Sequence, residues 1–267
     1  MKSCFGKLLQ ALLIIKVNEN MAEIYKPTPQ ERQAIKVQPD LLKVSGDGVF
    51  FSIQGEGKSL GLPAVFLRLL FCNLQCTWCD TKYTWDRGSS KFWREAQDWS
   101  LEKAREEITR FPVKRLIITG GEPLLQQRKV ANLLQQIPGW NVEIETDGTI
   151  KPLLELQERV QFNVSPKLAN SGNSRTARFK PDVLRVFNGL PLTSFKFVVQ
   201  DPNDLLEINQ IIDKCGLDQS KIIIMPEGST EDDIRKHGLM VVDEVKERGW
   251  RLMPRFHVAL WGTERGI

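Results

Sequence analysis

The chain reads as an α/β protein built on a partial, open parallel β/α barrel of about six strands. Three observations lead there. Apolar runs of strand length alternate with helix-period segments along most of the 267 residues, as a parallel sheet with right-handed crossovers requires. The segments that close successive strands are polar and carry Gly or Pro: Gly120-Gly121-Glu122-Pro123, Asp147-Gly148-Thr149, Ser165-Pro166-Lys167, Gln200-Asp201-Pro202 and Pro226-Glu227-Gly228. Segments of this kind mark the carboxyl edge of a barrel, which carries the chemistry. Finally, about six strands are too few to close an eight-stranded barrel, so the sheet should stay open.

Residues 1–44 read as a poorly ordered N-terminal extension and 45–267 as the core domain. Phe5 to Val17 is apolar apart from Lys7, Gln10 and Lys16. That run is too short for a membrane span and no small-residue cleavage site follows it, so no membrane partner is expected. Met21 opens a more polar segment, which leaves residues 1–20 as either untranslated or a loose amphipathic extension. Pro27, Pro29 and Pro39 make residues 21–44 an irregular lead-in.

Val49–Ile53 is the first expected strand, entering the loop Gln54-Gly55-Glu56-Gly57, whose glycines permit close backbone approach to a ligand. Pro63–Leu70 is an almost continuous apolar run, suiting a strand buried on both faces. Residues 82–99 are aromatic-rich without clear period, and Ser100 can cap a helix to about Arg110. Strands follow at Lys114–Thr119, Val142–Thr146, Val160–Val164, Ser194–Val199 and Lys221–Met225. Helices are expected over Leu124–Ile137, Pro152–Arg159, Asn203–Cys215 and from a Ser229 cap to Arg248, with Asp232 in the acidic first turn. Leu168–Pro181 reads as a mobile polar loop and Arg251–Leu260 as a last extended segment.

The chemistry gathers at Cys72-Asn73-Leu74-Gln75-Cys76-Thr77-Trp78-Cys79-Asp80-Thr81, which holds three of the five cysteines at C-x3-C-x2-C spacing. A 4Fe–4S cluster normally takes four thiolates, so Cys72, Cys76 and Cys79 would leave one iron open to an exogenous ligand. A closed zinc site is the alternative, but its fourth ligand would have to come from Cys4, Cys215, His237 or His257, each isolated in sequence. The clustering is not a disulfide framework, and a thiol-held cluster calls for a reducing, cytoplasmic setting. Arg68 sits four residues before the first of these cysteines. A buried guanidinium is costly unless it meets an anion, so Arg68 is either a ligand contact or half of a structural ion pair, with Glu56 one candidate partner. Net charge is only +4 and the basic residues are dispersed, which argues weakly against a dedicated nucleic-acid binder, while the pI ≈ 8.8 leaves a tRNA-binding protein as a further rival.

Together these stretches resemble the 7-carboxy-7-deazaguanine synthase family of radical S-adenosylmethionine (SAM) enzymes. The resemblance runs from about Val49 to Ile267 and rests on Ile53-Gln54-Gly55-Glu56-Gly57, the three cysteines with Cys79-Asp80-Thr81, Thr119-Gly120-Gly121-Glu122-Pro123, Glu145-Thr146-Asp147-Gly148-Thr149 and Ser165-Pro166-Lys167. It implies conversion of 6-carboxy-5,6,7,8-tetrahydropterin to 7-carboxy-7-deazaguanine with loss of ammonia, towards queuosine-type nucleosides. The implied cofactors are a 4Fe–4S cluster, SAM and Mg2+. By position, Cys72, Cys76 and Cys79 hold the cluster; Trp78, Cys79, Asp80, Gly121, Ser165, Pro166, Lys167, Gln200 and Asp201 lie along SAM. Ile53, Gln54, Gly55, Arg68 and Thr119 match substrate contacts, and Thr81 a magnesium ligand; a turn hydroxyl is the alternative for Thr81. The tail from Arg255-Phe256-His257 onward looks like that of longer-tailed members. An electron donor such as flavodoxin or ferredoxin and a homodimeric assembly are further implied. Another radical SAM enzyme, such as a glycyl-radical activase, would share the cysteines and Gly-Gly-Glu but would not require the Gln54–Gly57 loop or Thr81. A zinc-stabilised interaction module is the non-enzymatic rival.

Overall fold

A computed structural model describes residues 25–267 except 35, 37 and 39. The strands are β1 (Leu41–Ile53), β2 (Pro63–Leu69), β3 (Ala96–Ser100), β4 (Arg115–Gly120), β5 (Asn141–Thr146), β6 (Val160–Val164), β7 (Thr193–Val199), β8 (Ile222–Pro226) and β9 (Arg251–Leu252). Among the described residues they form one sheet in the order β3-β1-β2-β4-β5-β6-β7-β8-β9. Every neighbouring pair from β2 to β9 is parallel, while β1 runs antiparallel to both β2 and β3. The open α/β architecture is the expected one, with β3 and β9 as its free edges.

The parallel strands follow one another in sequence order, so each right-handed crossover lays its helix on the same face. One continuous apolar core fills that face. Val65, Leu67 and Leu69 of β2, Leu116 and Ile118 of β4, Phe162 of β6, Phe195 and Phe197 of β7 and Ile224 of β8 meet Ile108, Leu133, Phe187, Ile208 and Val241 from the helices. Side chains alternate across a strand, which turns Arg68, Arg115, Thr119, Glu143, Glu145, Asn163, Ser165, Ser194 and Lys196 to the opposite, concave face. A polar interior must satisfy itself. Its floor does so: Arg115 Nη1 and Asn163 Nδ2 donate to Glu143 at 2.9 and 2.8 Å, and Ser194 Oγ donates to Asn163 Oδ1 at 3.0 Å.

The structure corrects several expected boundaries. β1 begins at Leu41, not Val49, so the boundary expected after residue 44 cuts a strand. Its pairing with β2 slips between Val44 and Val49, and Gly46 and Gly48 take φ of 63° and 70° there. That bulge destroys the two-residue alternation and makes Ser45-Gly46-Asp47-Gly48 look like a turn. Ahead of it a helix covers Pro29–Ala34, and Tyr25 Oη donates to Glu31 at 2.8 Å; residues 1–20 and Pro39 lie outside the described residues. β3 went unseen because only Trp99 in it is strongly apolar. Leu168–Pro181 is not a bare loop: it holds short helical turns at Ala169–Ser171 and Arg175–Arg178, and a further helix covers Pro181–Gly189. Buried Arg178 ties this segment down, donating to Lys167 O at 2.9 Å and Glu207 Oε1 at 2.7 Å. The helix ending at Arg248 is capped by Thr230 rather than Ser229, Thr230 Oγ1 accepting from Asp233 N at 3.2 Å. Only Arg251–Leu252 of the last segment is extended; Pro254 follows, and Phe256–Trp261 is helical.

Glu143→Ala would strand the buried Asn163 amide and leave Arg115 without its carboxylate. Urea denaturation should show a loss of about 2–3 kcal/mol, less than a fully buried pair because Arg115 is partly exposed.

Candidate active site

A cleft of about 340 Å³ opens at the carboxyl ends of the parallel strands. Its cysteine wall begins where β2 ends. Phe71, immediately before Cys72, has φ of 77° and is the one non-glycine residue in the left-handed region among those described. Such a conformation costs roughly 1–3 kcal/mol and persists only where the surroundings enforce it. The enforcement is visible. Phe71 N donates to Thr84 O at 2.8 Å, while Phe71 O accepts Glu122 N at 2.7 Å. The Gly-Gly pair makes that approach possible: a Cβ on Gly121 would sit 1.9 Å from Phe71 O, and one on Gly120 would sit 2.3 Å from Leu69 O. Gly121 thus seats the backbone that launches the cysteine loop, and it also lines the cleft. Glu122 is fully buried and is spent on structure, accepting from Leu124 N, Asp147 N and Thr146 Oγ1 at 2.7–3.0 Å.

All four described cysteines are free thiols. Burial pushes Cys72 up to about 12 and raises Cys76 as well, so both are protonated at neutral pH until a metal displaces the protons. Each of the three clustered sulfurs already accepts an N–H: Cys72 from Leu74 N at 3.4 Å, Cys76 from Asn173 Nδ2 at 3.3 Å and Cys79 from Trp85 Nε1 at 3.3 Å. Sulfurs provided with N–H donors suit iron–sulfur ligation. Among the described residues no three His, Cys, Asp or Glu side chains gather tightly enough to hold one metal ion. A four-iron cluster takes each thiolate on its own iron. The residues fit the cluster.

The opposite wall is ionic. Glu56 pairs with Lys196 through one oxygen, and with Arg255 Nε at 3.2 Å through the other. Arg255 also reaches Asp80 in the cysteine loop and donates to Gly228 O at 2.8 Å. Burial alone would raise the Glu56 carboxyl, but the Lys196 and Arg255 cations hold it well below the usual range. The burial that would lower Lys196 is likewise overcome by Glu56, and its ammonium stays charged. His257 is pushed down by burial and is neutral at physiological pH.

Most of the expected site residues converge here. Ile53, Gln54, Gly55, Arg68, Cys72, Cys76, Trp78, Asp80, Thr81, Thr119, Gly121, Ser165 and Lys167 all line the cleft. Arg68 and Thr119 are direct cross-strand partners, and Glu145 accepts from Thr119 Oγ1 at 2.6 Å and Gln54 Nε2 at 3.1 Å. Arg68 lies 5.1 Å over the Phe50 ring. Among the described residues it forms no ion pair, and Glu56, its suggested partner, is taken by Lys196 and Arg255. Lys167 Nζ donates to Ser165 Oγ at 2.9 Å and stands 5.6 Å from the Trp78 ring. Thr81 precedes the helical turn Lys82–Thr84 but makes no capping bond to it; its hydroxyl lies 3.5 Å from Gly120 O and 3.6 Å from Cys79 Sγ. Cys79 is half-buried behind the lining, beside Thr81 and Trp85.

Besides Cys79, three expected SAM residues fall outside the lining. Pro166 is buried away from it. Asp201 caps the helix Pro202–Cys215, accepting from Asn203 N at 2.7 Å, and Gln200 Nε2 lies 3.5 Å from Glu227. Sequence reasoning in turn gives no site role to Lys196, Arg255, Trp85 or Asn173, and weighs His257 only as a zinc ligand. Lys196 carried a usable signal: it is a lone charge in the apolar run Thr193–Val199, the same anomaly that drew attention to Arg68.

The radical SAM superfamily matches residues 68–241. The 7-carboxy-7-deazaguanine synthase of Pyrobaculum aerophilum is 35% identical over 228 residues, covering 82% of this chain and 95% of that protein. The chain belongs to the 7-carboxy-7-deazaguanine synthase family. A second family member, from Halobacterium salinarum, is 32% identical over 240 residues and is covered to 88%. The crystal structure of QueE from Escherichia coli superposes with a TM-score of 0.64 at 26% identity, covering 81% of this chain and 95% of that one.

Because the Glu56 carboxyl is lowered in the folded state, its ion pairs contribute fully above the unfolded value of about 4.3. They fade as pH falls from there towards the folded value. Glu56→Gln should cost about 3 kcal/mol at pH 7, and the gap to the parent protein should narrow in urea titrations at pH 3. A gap that stays constant or widens in acid would contradict the ionic assignment.

Proposed function

We propose that the chain is a radical SAM lyase that converts 6-carboxy-5,6,7,8-tetrahydropterin to 7-carboxy-7-deazaguanine with release of ammonia. Family membership supports the reaction. The observation that carries it in the structure is the meeting, in one cleft, of the three-cysteine loop and a guanidinium, Arg68, with no carboxylate partner among the described residues. When bound, the cluster and SAM supply an electron and a carbon-centred radical for hydrogen abstraction.

The chain's own residues bind and orient. Cys72, Cys76 and Cys79 would hold the cluster. Trp78, Asp80 and the Gly121 backbone would flank SAM, with Ser165 and Lys167 offering a hydroxyl and an ammonium to its polar ends. Ile53, Gln54, Gly55, Arg68 and Thr119 would form the substrate surface. Arg68 is poised for a bidentate grip on the substrate carboxylate, and the Phe50 ring beneath it limits its freedom. Glu145 holds Thr119 and Gln54 in place from below. Thr81 Oγ1 and Gly120 O are neighbouring oxygen donors, the ligand type magnesium prefers. Arg255, His257, Val258 and the tail from Trp261 to Ile267 also line the cleft. A small molecule fits a cleft of this size; a flavodoxin or ferredoxin is the proposed electron donor, and the family resemblance suggests a homodimer. Among the described residues no helix is long and apolar enough to cross a membrane. The free thiols favour a reducing, cytoplasmic setting.

The test is an anaerobic assay with SAM, reductant, magnesium and the carboxylated pterin, following deazaguanine formation. SAM cleavage without deazaguanine would sink the substrate assignment, and Cys72→Ala, Cys76→Ala or Cys79→Ala should each abolish both. Arg68→Ala should weaken pterin binding roughly ten- to a hundredfold, the worth of a charge-assisted pair, while SAM binding and melting temperature hold. Arg68→Lys should recover part of the charge but not the fork geometry. Thr81→Ala should blunt the response of turnover to added magnesium with cluster content unchanged.

A further inference from the structure

The segment that follows β6 grips the cysteine loop along its length. Thr77 N donates to Ser171 O at 3.0 Å, Gln75 N to Asn173 Oδ1 at 2.9 Å and Trp78 Nε1 to Asn170 Oδ1 at 3.3 Å. Gly172 closes against Thr77 so tightly that a Cβ would lie 2.7 Å from its methyl group. The grip is anchored from behind: Asn170 Nδ2 donates to Asp204 and Val198 O at 2.9 Å each, and Arg178 Nε donates to Asn173 O at 3.2 Å.

Within this grip the Asn173 amide has one orientation. Its oxygen is committed to Gln75 N, so its NH2 group faces Cys76 Sγ at 3.3 Å, and it is shared with Ser171 Oγ at 3.2 Å and Ser171 O at 3.4 Å. On the other side of the loop Trp85 Nε1, which has no other acceptor within bonding distance among the described residues, donates to Cys79 Sγ at 3.3 Å. These two donors come from outside the C-x3-C-x2-C stretch, Trp85 six residues after Cys79 and Asn173 97 residues after Cys76. The third sulfur, Cys72, is served by the loop's own backbone.

We propose that Trp85 and Asn173 are the residues by which this protein sets the reduction potential of its cluster. One-electron reduction adds a negative charge shared between iron, sulfide and thiolate. An N–H aimed at a thiolate sulfur stabilises that charge and makes the cluster easier to reduce. Both residues act through the cysteines and are positioning residues; neither touches the substrate surface. The inference rests on the cluster assignment and not on the identity of the substrate.

The test uses the full chain reconstituted anaerobically with iron and sulfide, poised against dithionite and read by electron paramagnetic resonance. Trp85→Phe keeps the ring and removes only the donor. Asn173→Asp keeps the acceptor for Gln75 N and replaces the donor with a carboxylate oxygen. At the parent midpoint potential the ratio of reduced to oxidised cluster should fall about two- to tenfold in Trp85→Phe, the equivalent of one hydrogen bond. It should fall further in Asn173→Asp, where charge repulsion is added, and the double variant should exceed either. An unchanged midpoint in Trp85→Phe with full iron content overturns the proposal. So does iron loss in Asn173→Asp with the residual cluster at the parent midpoint, which leaves the segment a purely mechanical clamp. A parent protein that assembles no cluster would instead refute the proposed function.

Discussion

The structure depends on a sheet whose parallel strands are laid down in sequence order. That order sends every crossover helix to one face and leaves the concave face to cover itself. Residues there cannot be apolar throughout, because a ligand must enter. They cannot be polar and unpaired either, because the interior is desolvated. The solution is a set of hydrogen-bonded carboxylates and amides in which Glu143 and Glu145 each hold two donors from neighbouring strands or loops. The site is the upper surface of that network, and its rigidity is borrowed from the sheet.

Glu56 joins this surface to the rest of the molecule. Its burial would be unfavourable alone, and one cation would barely offset the lost hydration. Two cations do, and one of them, Arg255, extends the link to Asp80 beside the last cluster cysteine and to Gly228 after β8. A planar guanidinium with five donors is suited to hold three separate segments at once; an ammonium would not span them. The loop before β2, the cysteine loop, the β8 edge and the C-terminal tail are therefore tied into one wall.

Much of this was legible in the sequence because it is written locally. The parallel strands announced themselves as apolar runs, the cysteines by spacing, and the Gly-Gly-Glu turn by glycines whose Cβ atoms would collide with Leu69 and Phe71 carbonyls. What stayed hidden depends on contacts between distant segments. The first strand was half concealed because its bulge at Gly46 and Gly48 mimics a turn. Leu168–Pro181 looked loose because its order comes from Arg178 meeting Glu207, a partner on another helix. Arg255, Asn173 and Trp85 have no local signature; their meaning exists only once the sheet brings them to the cysteine loop. Asp201 shows that a strand-end position carries a second demand, since its side chain starts the helix Pro202–Cys215.

The stacked interior also works as a ruler. From Glu143 to Glu145 on β5, and from Ser194 to Lys196 on β7, one rises two residues along the strand, a step of about 6.6 Å. Reacting atoms must meet within roughly 3–3.5 Å, about half that step. A ligand resting on the Glu145 level would be presented to the cysteine loop about one such step above the Glu143 level. Trading bulk between the two levels would shift which part of a ligand faces the cysteines, with the rim left untouched.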